Sequence, residues 1–132
     1  TKVCLVFDAC SKDHDSLSLN DHLEKGPNYN VMSSQCTFGL AMKEVAYSGD
    51  IRKMFNQILV HSEDQVFHRF LWRRDESQTP SVFPWLRLNF GDKPAPDIAT
   101  NAINYLAQVS QVEFPDAAQE LQDHAYVDDI EG

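Results

Sequence analysis

Near the end of the chain, Tyr126-Val127-Asp128-Asp129 places two adjacent carboxylates after the short apolar run Ala125-Tyr126-Val127. Read as a strand, that run leads into a tight turn, and period-two alternation sends the two acids to different sides of it. Like charges this close repel unless a cation or a proton intervenes. A divalent metal held by hard oxygen ligands is one such cation. Asp is also a common turn residue, and for the four residues alone the solvated-turn reading wins. A third carboxylate upstream, Asp50, and the Gly/Pro punctuation between them raise the segment above that reading.

The 132 residues are 42% hydrophobic and 11% aromatic, which suits one globular domain with a real core. No apolar run approaches the ~20 residues of a membrane span. No charged-then-apolar leader opens the chain, and it starts without Met, as a piece of something longer would. Cys4, Cys10 and Cys36 are odd in number and form no Cys-X-X-Cys pair, which suits a reducing, cytoplasmic setting. His14, His22, His61, His68 and His124 do not fall at metal-ligand spacing with them, so zinc is not expected.

The net charge of -9 argues against a free-standing nucleic-acid binder. Its distribution softens the point. Residues 51–93 carry +2, whereas residues 94–132 contain eight acids and no Lys or Arg, and residues 1–50 carry -3. A mildly basic middle is compatible with phosphate contacts, and equally with an ordinary solvated surface.

Lys2 to Asp8 is rich in strand formers and predicts a strand. Cys10 to Asp21 reads as a loop, and Gly26-Pro27-Asn28 as a turn. Met32, Cys36 and Leu40 recur at helical spacing within 31–42. Val45 to Ile51 is a second strand candidate, with Asp50 near its end. Val66 to Trp72 and Phe83 to Phe90 predict two strands joined by a polar segment, with Pro84 marking an irregular start to the second. After Gly91-Asp92-Lys93-Pro94-Ala95-Pro96 a helix is expected, with Asp97 in its first turn and Ile98, Ala102, Ile103 and Leu106 on one face. Pro115 opens a second helix, with Phe114, Ala118 and Leu121 at helical spacing, before the final strand delivers Asp128.

This order puts strand-end acids where a sheet can bring them together across a helical crossover. Carboxylates on adjacent strands are what a two-metal phosphoryl-transfer site needs. The sequence contains no P-loop, no Gly-X-Ser-X-Gly and no His-Glu-X-X-His to compete with it.

Val6-Phe7-Asp8-Ala9, then Ser18-Leu19-Asn20-Asp21 with Lys25-Gly26-Pro27, resembles the opening of the reverse transcriptase domain of BEL/Pao-type LTR retrotransposons. Gly49-Asp50-Ile51-Arg52-Lys53-Met54-Phe55-Asn56-Gln57-Ile58 is similar to that family's first catalytic motif, and Arg69-Phe70-Leu71-Trp72 to its following strand. Phe90-Gly91-Asp92-Lys93-Pro94-Ala95-Pro96 resembles its central motif, and Tyr126-Val127-Asp128-Asp129 its Tyr-X-Asp-Asp box. The resemblance covers nearly the whole chain, in order.

The resemblance implies an α+β fold, a palm-type antiparallel sheet backed by helices, with residues 1–44 fingers-like and 45–132 palm-like around an inserted hairpin. It implies an RNA-directed DNA polymerase that extends a primer 3′-hydroxyl with two Mg²⁺ ions, Mn²⁺ being a substitute. Asp50, Asp128 and Asp129 are then catalytic, and with the Ile51 carbonyl they are the expected metal ligands. Ile51, Phe55, Gly91 and Tyr126 are expected at the nucleotide, Phe55 as the ring that excludes a 2′-hydroxyl. The implied partners are template–primer, deoxynucleoside triphosphates and the rest of a retroelement polyprotein in a cytoplasmic particle. Two departures stand out. Cys4 occupies the place of an Arg that grips the triphosphate, and the chain stops at Gly132, so the strand returning from the acidic turn is expected to be missing. The alternative is a catalytically silent remnant, or a palm-like fold co-opted as an acidic binding module.

Overall fold

The computed structural model describes residues 7–27 and 45–131. The helix expected over 31–42 and Lys2–Val6 of the first expected strand lie outside them; Phe7 and Asp8 are in irregular backbone. The fold is α+β, mixing helices with antiparallel sheet. No helix of the described residues is long and apolar enough to cross a membrane.

Three short strands make the central sheet: β1 (Ser48–Asp50), β4 (Ala125–Tyr126) and β5 (Asp129–Glu131). Their spatial order is β1-β5-β4, all antiparallel, so the last strand in sequence is the middle one in space. This corrects the expectation that the acidic turn lacks its returning strand. Three residues suffice, because β5 is bonded on both sides: Ile130 stands opposite Gly49 on one flank and Ala125 on the other. Gly49 and buried Ala125 keep that row low, and Ile130 packs on the core from between them.

Beneath this sheet lie α2 (Met54–Gln57) and α3 (Ala95–Ser110), with α4 (Pro115–His124) packed along α3. The core joins Met54, Phe55, Leu88, Ala99, Ile103 and Ala125. Both long helices begin where the sequence places them. Pro96 and Pro115 sit in first turns, where a missing N–H costs nothing, and Asp97 and Asp116 meet the positive end of the helix dipole.

The buried face of α3 differs from the expected one. Ala95, Ala99, Ile103 and Ala107 form the inward stripe, while Ile98 and Leu106 are 41% and 50% exposed. The physical reason is approach distance. Alanines let the helix backbone lie close to its neighbours, and a stripe read from side-chain size rotates the helix toward its bulkier residues.

The hairpin is also shifted. β2 (Arg69–Trp72) pairs with β3 (Ser81–Pro84), Phe70 opposite Phe83 and Leu71 opposite Val82. Pro84 therefore closes β3, where its lack of an N–H is tolerated, and does not open a strand over 83–90. The chain beyond it turns to meet residues 58–60, through Val60 N–H to the Leu86 carbonyl and Leu88 N–H to the Ile58 carbonyl, both 3.0 Å. Of the alternating Leu86, Leu88 and Phe90, only Leu88 is buried. Phe7, Phe70 and Trp85 pin the base of the hairpin, with ring centroids 5.0 to 6.0 Å apart.

The α3 face is testable by substitution. Ala99→Leu overfills a site with no exposed surface and should cost about 1–3 kcal/mol in urea unfolding. Leu106→Ala on the outward face should stay within about 0.5 kcal/mol. The opposite ranking would restore the face expected from the sequence.

Candidate functional site

β4 and β5 are joined by a two-residue turn, Val127-Asp128, with Tyr126 and Asp129 as the last facing pair. Val127 has φ 56°, and Asp128 is not among the positive-φ residues, which is the type II′ sign pattern that ordinarily selects Gly. A β-branched residue there is strained by about 1–3 kcal/mol. Two interactions hold the turn despite that cost. The Val127 side chain packs against the core, and the Asp128 carbonyl accepts the Ile51 N–H at 2.7 Å.

The register sets the acids. Asp50 stands directly opposite Asp129, and Tyr126 lies across Asp129 on the other flank. Facing residues of an antiparallel pair point to the same side, with Cβ atoms about 4.5–5.5 Å apart. Asp50 and Asp129 are exposed and Asp128 is half-buried at the turn. Among the described residues none of the three forms an ion pair with Lys, Arg or His. Like charges directly opposite are destabilising without a counter-ion. The donor set, carboxylate oxygens with backbone carbonyls beside them, is the hard oxygen chemistry that suits Mg²⁺ or Mn²⁺. The Ile51 carbonyl already accepts the Met54 N–H at 3.0 Å, leaving one lone pair.

The acids are adjacent in the sheet but not gathered. Among the described residues, the trio of metal-type ligands whose atoms all lie within 4.8 Å is Asp13, His14 and Asp15, all exposed. Turn chemistry accounts for that trio. Asp13 Oδ1 accepts the N–H groups of Asp15 and Leu17, and His14 Nε2 lies 3.1 Å from Asp15 Oδ2.

A single carboxylate braces the sheet from behind. Glu120 Oε2 accepts the Tyr47 hydroxyl at 2.7 Å, and His124 Nδ1 lies 2.6 Å from the same oxygen. Tyr47 leads into β1 and His124 into β4, so one group on α4 ties the entrances of both flanking strands. Donation to Glu120 holds the Tyr47 phenol above its ordinary pKa. The i,i+4 spacing of Glu120 and His124 on one helix was the available local signal, whereas Tyr47 comes from a distant stretch.

Phe55 is buried in the core, its ring centroid 4.5 Å from the exposed Phe90. Gly91 has φ +95°, and a Cβ there would sit 3.1 Å from the Phe7 carbonyl oxygen. The close approach expected at Gly91 is thus made, within the described residues, to the chain's own backbone.

Asn20 completes that turn, a residue to which the sequence reading assigned no role. Its Nδ2 donates to the Gly91 carbonyl at 2.8 Å and its Oδ1 accepts the Lys93 N–H at 2.7 Å. Asn20 is presented by the short helix α1 (Leu19–His22), where the Ser18 N–H and hydroxyl both donate to Asp21 Oδ2 at 2.9 Å. Those bonds hold the Asp21 carboxyl below its ordinary pKa, the backbone bond having the larger effect. The Ser-X-X-Asp pattern was the available signal.

No protein-family model matches the sequence, and neither does any curated protein.

Gly91→Ala should destabilise the chain by about 1–3 kcal/mol, from the left-handed backbone and the contact with Phe7 together. Chemical denaturation measures it. A loss near zero would show that the turn relaxes freely and that neither constraint holds Gly91.

Proposed function

We propose that this chain is reverse transcriptase sequence of a BEL/Pao-type retroelement, the palm-type part of an RNA-directed DNA polymerase with part of its fingers. One observation carries the reading: Asp50 and Asp129 face each other in register while Asp128 is held beside them by the bond from Ile51. The ordered run of family-like motifs, from Phe7-Asp8 to Tyr126-Val127-Asp128-Asp129, supports it. In this reading Asp50, Asp128 and Asp129, with the Ile51 carbonyl, hold two Mg²⁺ ions. Bound there, the ions lower the pKa of the primer hydroxyl and offset charge on the transferring phosphate.

The chain's own contribution is placement. A strained turn anchored at two points keeps Asp128 from drifting, and a displacement of ~1 Å at such a site costs about a hundredfold in rate. Tyr126 lies in the row of Asp129 and presents an exposed ring beside the acids. Phe55 acts through Phe90, which it supports from the core, or through its own edge where a sugar reaches it. The basic stretch 51–93 meets template–primer phosphates, and the acidic remainder limits that grip.

The alternative, an acidic module without catalysis, is favoured by the ungathered oxygens. Mn²⁺ titration followed by NMR line broadening separates the two. Broadening should centre on Asp50, Ile51, Asp128 and Asp129 and disappear in Asp128→Asn; equal broadening in both proteins would remove the metal site. Primer extension on an RNA template, with Asp128→Asn as the blank, then distinguishes a polymerase from a module that binds metal alone.

A further inference from the structure

Away from the acidic turn, the molecule buries a second carboxylate without satisfying it. Asp92 Oδ2 lies 3.4 Å from His68 Nδ1, and their side chains are 1% and 9% exposed. Beyond that long ionic contact and the nearby Asn89 N–H, neither oxygen of Asp92 nor Nδ1 of His68 makes a well-formed hydrogen bond among the described residues. Leaving such atoms without a good hydrogen bond costs about 1–3 kcal/mol each, more for a charged group, so an acid at this depth held by one long contact has room for a further partner.

The pair borders open space. A cavity of about 350 Å³ is lined by Leu23, Val60, Phe67, Leu88 and Ile98 around His68 and Asp92. A second, of about 260 Å³, shares Leu19, Phe67, His68 and Asp92 with it. The larger falls within the size range of small-molecule sites, and its make-up is theirs: apolar walls with a few convergent polar groups. Asp64 and His22 also line it, and among the described residues no Lys or Arg does.

We propose that this cavity binds a small organic cation, an amidinium or primary ammonium group on a compact apolar body. Its N–H donors pair with Asp92 once that carboxylate, closed to water in this structure, turns toward the cavity, and its body lies against Val60, Leu88 and Ile98. The competing ligand classes fit less well. An anion finds no Lys or Arg among the described residues lining the larger cavity, and a purely apolar molecule offers the Asp92 oxygens no donor. A metal ion needs ligands drawn together, and no three of His22, Asp64, His68 and Asp92 have atoms within 4.8 Å of one another. Nothing in this assignment depends on the polymerase reading.

The site is also sensitive to pH. Burial pushes the Asp92 carboxyl above its ordinary pKa, opposed by His68 and by the Asn89 N–H. Among the described residues, the other charged or titratable groups lining the two cavities are His22 and Asp64 on one side and Asp8 and Arg69 on the other. A cation pairs with the ionised acid, so affinity should fall as the pH is lowered through the titration of Asp92.

Benzamidinium is the probe and benzamide its neutral isostere, titrated into the 132-residue chain by ¹H–¹⁵N NMR. Saturable shifts are expected at residues lining the cavity, with benzamide weaker by about tenfold or more, equivalent to ~1.4 kcal/mol. Asp92→Asn should lose the preference for the cation. Ile98→Trp keeps the acid, obstructs the cavity from its half-exposed wall and should abolish binding, which tests the site even where Asp92→Asn fails to fold. Equal affinity for the two probes would overturn the proposal. So would an absence of saturation at millimolar concentration, or shifts confined to the acidic surface at Asp50 and Asp128 and unchanged in Ile98→Trp.

Discussion

The hydrogen bond from the Ile51 N–H to the Asp128 carbonyl is the interaction on which the central sheet and its acids depend. It closes the end of the β1–β5 pairing at the place where Asp50 meets Asp129, and it seats the turn that follows β4. Without it, β1 would be joined to the rest of the sheet only along three short pairs. With it, two carboxylates separated by most of the chain are fixed face to face, and a third is held at their side. Repulsion among these acids opposes the very pairing that defines the site, so the sheet is stabilised from elsewhere: by Ile130 and Val127 on the core, and by Glu120 gripping Tyr47 and His124.

The strain at Val127 belongs to the same arrangement. Gly would adopt the backbone freely, but it would surrender the side chain that packs on the core. The structure keeps the side chain and bears the strained φ, exchanging local comfort for a turn with one position. A loop of relaxed polar residues would leave Asp128 free to wander.

Two further acids extend the pattern of buried or crowded carboxylates. Asp92 follows Gly91, its oxygens held only by the long His68 contact and the nearby Asn89 N–H, and Asp97 is 3% exposed in the first turn of α3, without a hydrogen-bond partner among the described residues. The capping residue Pro94 offers no N–H for Asp97 to bond, which removes the reciprocal contact a third-position acid normally makes. Helix-dipole attraction remains its compensation. For Asp92 the compensation comes from His68, 3.4 Å away, and from the Asn89 N–H, which together oppose but do not cancel the cost of its burial.

Read alone, the sequence determined what nearest neighbours encode. Pro96 with Asp97, and Pro115 with Asp116, mark helix starts within the first turn of each observed helix; Val45 to Ile51 brackets the shorter β1, which ends at Asp50, and Ala125 to Val127 overruns β4, which ends at Tyr126 with Val127 in the turn; Gly91 marks a backbone that only Gly adopts easily. Tertiary structure decided the rest, for reasons of distance and size. Three residues, Asp129 to Glu131, are too few to signal a strand, and they become one only because β1 and β4 bond them from both sides. Helical periodicity marked α3 as amphipathic but weighted Ile98 and Leu106 over alanine, whereas close packing rewards the smaller face. His68 and Asp92 lie in separate turns with no shared spacing, so their meeting is a property of the folded chain alone. The facing of Asp50 and Asp129 is likewise a matter of register, which is set by Ile130 seeking the core between Gly49 and Ala125.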